Sequence, residues 1–114
     1  MSIQIATKWN RNGPAWYKVF EIIIYNNSTE VIVNPTIEFK ISYFDRISVI
    51  QGFKMISNTK YVNSNTIVGE LSENNNEIPP NNFKSFSIGV TFKHHSEGFL
   101  PFDFKINGDL ITAL

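Results

Sequence analysis

Two tryptophans and a tyrosine lie close together near the start of the chain. Trp9 and the pair Trp16-Tyr17 flank a polar stretch that contains Gly13-Pro14. Gly-Pro favours a turn, so these rings stand outside the regular alternation that fills a core. Flat aromatic faces on a rigid scaffold can stack on sugar rings, bases or proline-rich peptides. We therefore predict that Trp9 is an exposed contact, with the alternative that it closes one end of the domain.

Three further residues are candidates for the same kind of contact. Trp16 has the same parity as Phe20 and Ile22, so alternation favours its burial and makes contact the alternative. Tyr61 and Asn63 could form a polar and aromatic strip, because amides supply donors and acceptors for sugar hydroxyls. The alternative, which we favour, is an irregular strand in contact with water.

No group of residues has the spacing of a catalytic or metal centre. The acidic residues are scattered over turns and strands, as Glu38 and Glu73 illustrate, whereas acid-base catalysis needs carboxylates paired in a cleft. His94 and His95 are adjacent and would point in opposite directions on a strand, so we interpret them as part of a surface turn. There is no cysteine, which excludes thiolate chemistry and disulfides. We predict that the protein is not an enzyme and uses no metal or cofactor.

Length and charge narrow the choice of partners. The 114 residues form one domain, 1–114, and 42% hydrophobic residues are enough for a core. Ten basic residues balance ten acidic ones, so no overall field attracts nucleic acid or an anionic membrane. No apolar run reaches membrane-spanning length, and the first residues do not resemble a signal peptide.

The hydrophobic pattern predicts an all-β fold. Residues 17–25 are apolar on both faces, as in a central strand, whereas residues 36–43 and 85–92 alternate cleanly. Turn residues at short intervals separate such segments, which is typical of an antiparallel, immunoglobulin-like β-sandwich of about seven to nine strands. The remaining expectations are a hairpin turn at 26–29, a strand at 47–55 with a bulge at Gly52, a weaker strand at 61–68, a surface loop at 70–82 and a last strong strand at 102–106.

Several segments, taken in order, resemble one family. They span most of the chain and are residues 9–13, 22–26, 37–39, 78–80 with 86–90, and 101–108. Trp9-Asn10 followed by Gly13 resembles the opening of cellulose- or chitin-binding β-sandwich modules, which are appended to bacterial glycoside hydrolases. Similar modules occur in plant and slime-mould cell-wall proteins. The closing Asn107-Gly108 also resembles the end of such modules.

The resemblance implies a non-catalytic, extracellular module that stacks aromatic rings on a β-linked polysaccharide, cellulose or chitin. Members commonly use three exposed aromatics. Trp9 matches the first position, Phe53 lies near the second but could be core, and residues 73–76 near the third contain no aromatic. Because no signal peptide is visible, a cytoplasmic location is the alternative. The alternative function is a structural or adhesive β-sandwich that binds protein or assembles into a homo-oligomer.

Overall fold

Alternating apolar and polar side chains produce the strands Thr36–Ser42 and Ser64–Leu71, in which every second residue is buried. The computed structural model describes residues 3–9, 14, 16–43, 45–61, 64–72, 76–92 and 100–111. In chain order the strands are β1 (Ile3–Trp9), β2 (Tyr17–Asn26), β3 (Ile32–Val33), β4 (Thr36–Ser42), β5 (Arg46–Gln51), β6 (Phe53–Tyr61), β7 (Ser64–Leu71), β8 (Glu77–Ile78), β9 (Asn82–Thr91), β10 (Phe102–Ile106) and β11 (Asp109–Leu110).

The strands form two main antiparallel sheets. The first sheet has the order β1-β2-β9-β5 and the second has the order β11-β10-β4-β7-β6, while β3 and β8 pair separately. Over the described ranges, eight strands are five residues or longer and three have only two residues. The prediction of an all-β sandwich is confirmed. No helix in the described part of the chain has the length and apolar character needed to span a membrane.

The core lies between the two sheets and is rich in phenylalanine and isoleucine. Phe39 of the second sheet contacts Phe53, Phe86 and Phe104 at ring-centroid distances of 6.0, 6.2 and 5.6 Å. Phe20 of the first sheet meets the edge of Phe92 at 6.3 Å. All six rings are buried. Each buried side chain of this size contributes about 1.5–3 kcal/mol to folding, so these rings supply a large part of the stability.

The many asparagines have a backbone role as well as a polar one. Asn34, Asn81 and Asn107 adopt positive φ angles of 46°, 58° and 51°. Asparagine tolerates this left-handed region better than most residues do. Asn107 and Gly108 together form the two-residue turn between β10 and β11, in which both φ angles are positive.

The segment 47–55 is two strands rather than one. Gly52 has a φ of 78° and lies between β5 and β6, where the chain leaves the first sheet for the second. The predicted bulge at Gly52 is therefore wrong, because this glycine makes the corner between two sheets. Register shifts occur instead on either side, between Val49 and Gln51 and between Met55 and Ser57. The strand predicted at 61–68 is β7, which begins at Ser64.

The predicted turn at 26–29 and the predicted surface loop at 70–82 each contain a fully buried residue. Residues 26–29 do not close a hairpin, because the neighbours of β2 are β1 and β9. Asn26 is fully buried and its Nδ2 donates to the carbonyl oxygens of Glu30 and Ile78, at 2.7 and 2.8 Å. The predicted surface loop 70–82 contains β8, in which Ile78 is fully buried in the core.

Candidate functional site

Trp9 lies at the end of β1 and is only partly exposed. It is opposite Phe20 in the strand register, and the two ring centroids are 6.5 Å apart. The indole packs against the core and remains partly accessible. Trp9 therefore closes this end of the sandwich with one part of its ring and presents the other part to solvent.

Trp16 is 50% exposed, so the burial predicted from its parity is wrong. The residue precedes β2, in a turn where the Tyr17 N–H donates to the Pro14 carbonyl at 3.2 Å. Alternation fixes the direction of side chains only within a strand, so it does not apply to this residue. The Trp16 and Tyr17 ring centroids are 5.9 Å apart, and the rings form an accessible pair at the start of β2.

Phe53 is part of the core and not of a surface. It is 5% exposed and stacks on Phe86 with the ring centroids 4.6 Å apart. Its ring also lies against Gly69, where an added Cβ would come within 2.8 Å of Phe53 Cε1. The interpretation of Phe53 as a second ligand-binding aromatic is corrected by this burial, because neither face of its ring is open to a ligand.

Other candidates fall at or beyond the limits of the described structure. Tyr61 is the last residue of β6 and lies opposite Ser64 in the strand register. Asn63 lies outside the described residues, as do His94 and His95. The assignment of Tyr61 and Asn63 to a ligand contact therefore stays a prediction.

An aromatic pair that the sequence analysis did not single out lies on the outer face of the first sheet. Tyr25 and Phe83 are opposite each other in β2 and β9, and their ring centroids are 5.8 Å apart. Phe83 is 54% exposed. Phe83 has the opposite parity to the buried Phe86 of its strand, whereas in β2 both Ile24 and Ile23, which has the parity of Tyr25, are buried. Alternation could therefore have identified Phe83, but not Tyr25, as an outward-facing aromatic.

The outer face between the two aromatic pairs has small and polar side chains on β9 and apolar side chains on β2, of which Ile23 is buried. Tyr17 lies across Gly89, where an added Cβ would be 2.8 Å from Tyr17 Cζ. Further along, Ser85 Oγ donates to Glu21 Oε2 at 3.3 Å. Because glycine and serine project little from the sheet, the surface between the rings is low along β9.

Among the described residues, no group of three or more histidines and carboxylates could hold a metal ion. A depression of about 350 Å³ beside β10 and β11 is lined by apolar side chains and one carboxylate, that of Asp103. That carboxylate lies 3.7 Å from Lys40 Nζ and is the only acidic group among the described residues that line the depression.

Known structures share this fold over almost the whole chain. The chitin-binding domain of Chi18aC from Streptomyces coelicolor aligns with a TM-score of 0.69 and 12% identity, covering 98% of this chain and 94% of that domain. The module CBM3b of cellobiohydrolase 9A from Clostridium thermocellum aligns with a TM-score of 0.64 and 7% identity, covering 98% and 97%.

A third structure is a larger protein. Chitinase ChiA74 from Bacillus thuringiensis aligns with a TM-score of 0.64 and 25% identity over 90% of this chain, which spans only 14% of the chitinase. No protein-family model matches the sequence, and no curated protein matches it significantly. The chain has the β-sandwich fold of the chitin-binding domain and the carbohydrate-binding module, which confirms at the level of the fold the resemblance seen in the sequence.

Proposed function

We propose that this protein is a non-catalytic module that binds a β-linked polysaccharide, chitin or cellulose, outside the cell. The observation that carries the proposal is the exposure of Trp16, half of whose surface is open to solvent beside Tyr17. A large indole exposed in this way gives up favourable burial within its own fold, so contact with a ligand accounts for it better than folding does. The shared fold supports the choice of polysaccharide, since two neighbours are named as a chitin-binding domain and a carbohydrate-binding module.

In this proposal the indole of Trp16 stacks on the C–H face of a pyranose ring. The contact removes apolar surface of both partners from water and involves no charge. Trp9 lies at the same end of the first sheet, because it is opposite Phe20 while Trp16 directly precedes β2. The accessible part of Trp9 adds to the contact there, and its packed part holds the end of the sandwich closed.

Retention of the purified protein on insoluble chitin and cellulose tests the proposal. We expect the wild type to be retained on one or both polymers and Trp16→Ala to bind at least about tenfold more weakly, which corresponds to about 1.4 kcal/mol. Leu110→Ala is the matched control, because Leu110 is 66% exposed but lies in β11 of the other sheet. Failure of the wild type to bind either polymer would contradict the proposal.

A second candidate function is self-association, and a different surface favours it. Val49, Ile50, Met55 and Ile56 are 39–59% exposed and lie on β5 and β6, which are edge strands of the two sheets. Exposed apolar side chains on sheet edges favour pairing with another copy. Light scattering coupled to size exclusion should then show a dimer that Ile56→Asp dissociates. A monomer at every concentration would reject this candidate.

A further inference from the structure

We propose that Tyr25 and Phe83 form a second aromatic platform, so that one polysaccharide chain lies along the outer face of the first sheet, from Trp16-Tyr17 to this pair. This inference rests on the proposed function. It adds the direction of the bound chain and a contact at the far end of the sheet from Trp16. The ligand is a neutral, extended β-linked polymer.

The rings of Tyr25 and Phe83 are accessible to solvent. Phe83 is 54% exposed near the start of β9, where this strand pairs with β2 and not with β5. Its ring packs against the ring of Tyr25 on the neighbouring strand, with an interplanar angle of 47°. The contact holds the two rings together without burying them. A fold gains little from such a phenylalanine, whereas a stacked ligand would cover it.

The two aromatic pairs lie along one strand, on the same face of the first sheet. Tyr17 and Tyr25 are the first and ninth residues of β2, so both project from the same face of the sheet. Eight residues of extended strand span about 26 Å. β2 has ten residues, so the two pairs lie near its two ends. A straight polymer of several sugar rings can therefore contact both pairs.

Hydroxyl and amide side chains lie between and beside the two aromatic pairs. Ser87 and Ser85 of β9 place hydroxyl groups along the line from Gly89 to Phe83. At the Phe83 end, Gln4 lies opposite Tyr25, and its Oε1 accepts a hydrogen bond from Asn27 Nδ2 at 3.0 Å. Hydroxyl and amide groups beside an aromatic ring supply both donors and acceptors for sugar hydroxyls.

The outer face of the first sheet carries charges of both signs. Glu21 lies at its centre, and Lys8 of β1 is directly opposite in the strand register. Arg46 lies opposite Thr91 at the edge. The carboxylate is thus flanked by a cation, and the face has no block of one sign. A neutral polymer suits this face better than an acidic or basic one does.

Titration with chitohexaose and cellohexaose, together with retention on insoluble chitin and cellulose, tests the second platform. We expect Phe83→Ala and Phe83→Leu to weaken binding of whichever polymer the wild type retains by about fivefold or more. Phe83→Tyr should bind like the wild type because it keeps the ring. Leu110→Ala again serves as the control. A disaccharide should bind the wild type and Phe83→Ala equally, because it is too short to reach both aromatic pairs.

The two proposals fail in different ways. If the wild type and Phe83→Ala bind the polymer equally while Trp16→Ala does not, the second platform is wrong and the proposed function stands. If the wild type binds no polymer, both are wrong. If Phe83→Ala dissociates a dimer and leaves polymer binding unchanged, the outer face is a protein interface, and the inference is overturned. Circular dichroism of each variant confirms folding, which the exposure of Phe83 should preserve.

Discussion

Asn65 is a fully buried amide that holds the turn after β4 against the start of β7. Its Nδ2 lies 3.0, 3.1 and 3.0 Å from the carbonyl oxygens of Ser42, Tyr43 and Asp45. The two N–H groups of the amide donate to three carbonyl oxygens, so one N–H group is shared between two acceptors. Without this donor the turn would lose these hydrogen bonds, each of which contributes about 0.5–1.5 kcal/mol, although the Ser42 carbonyl also accepts from the Asp45 N–H at 3.1 Å.

This geometry predicts the effect of two substitutions at Asn65. Asn65→Asp replaces the donor with a carboxylate that faces carbonyl oxygens, and we expect it to lower the free energy of unfolding by about 3 kcal/mol or more at neutral pH. Asn65→Ala should cost about 2 kcal/mol, because it removes the donor without adding a charge. Urea denaturation measures both. Asn58→Asp, at an exposed position of β6, is the control, and equal stability of the two Asp variants would contradict the prediction.

Along the strands, alternation predicted the buried core and would also have placed Phe83 on the outer face. Phe86, Ile88 and Val90 alternate along β9 and are all buried, as their pattern indicated. The same parity places Phe83 outward, but an aromatic residue in an apolar segment reads as core unless its parity is counted. The prediction was wrong for Trp16, because the strand pattern was extended one residue into the preceding turn.

Short strands and corners could not be predicted, because their positions depend on residues far away in the sequence. Ile78 is buried through the pairing of β8 with β3 and a hydrogen bond from Asn26, fifty-two residues earlier. A two-residue strand has no period, so alternation cannot reveal it. Gly52 likewise lies in a continuous apolar segment, and only the change of sheet shows that it forms a corner. Of the candidate aromatics, Trp16 is exposed, contrary to its parity, and Phe53 is core, while a role of Trp16 in ligand contact stays a prediction.

At the scale of the whole molecule, the balance of charge predicts how ligand binding depends on salt. Ten basic and ten acidic residues give a formal net charge of zero, and the proposed contacts are aromatic rings, hydroxyls and amides. Screening by salt weakens interactions between exposed charges but has little effect on stacking. We expect the Kd for the retained polymer to change by less than about twofold between about 0.05 and 0.5 M sodium chloride.

Comparing this salt dependence with that of Lys8→Ala and Arg46→Ala separates charge from stacking. These residues carry the cations of the outer face, so their removal should leave both the Kd and its salt dependence close to those of the wild type. A steep loss of affinity with salt, abolished in either variant, would show that the ligand is anionic. Such a result would move the function from neutral polysaccharides to charged ones, while the aromatic platforms would still be tested by Trp16→Ala and Phe83→Ala.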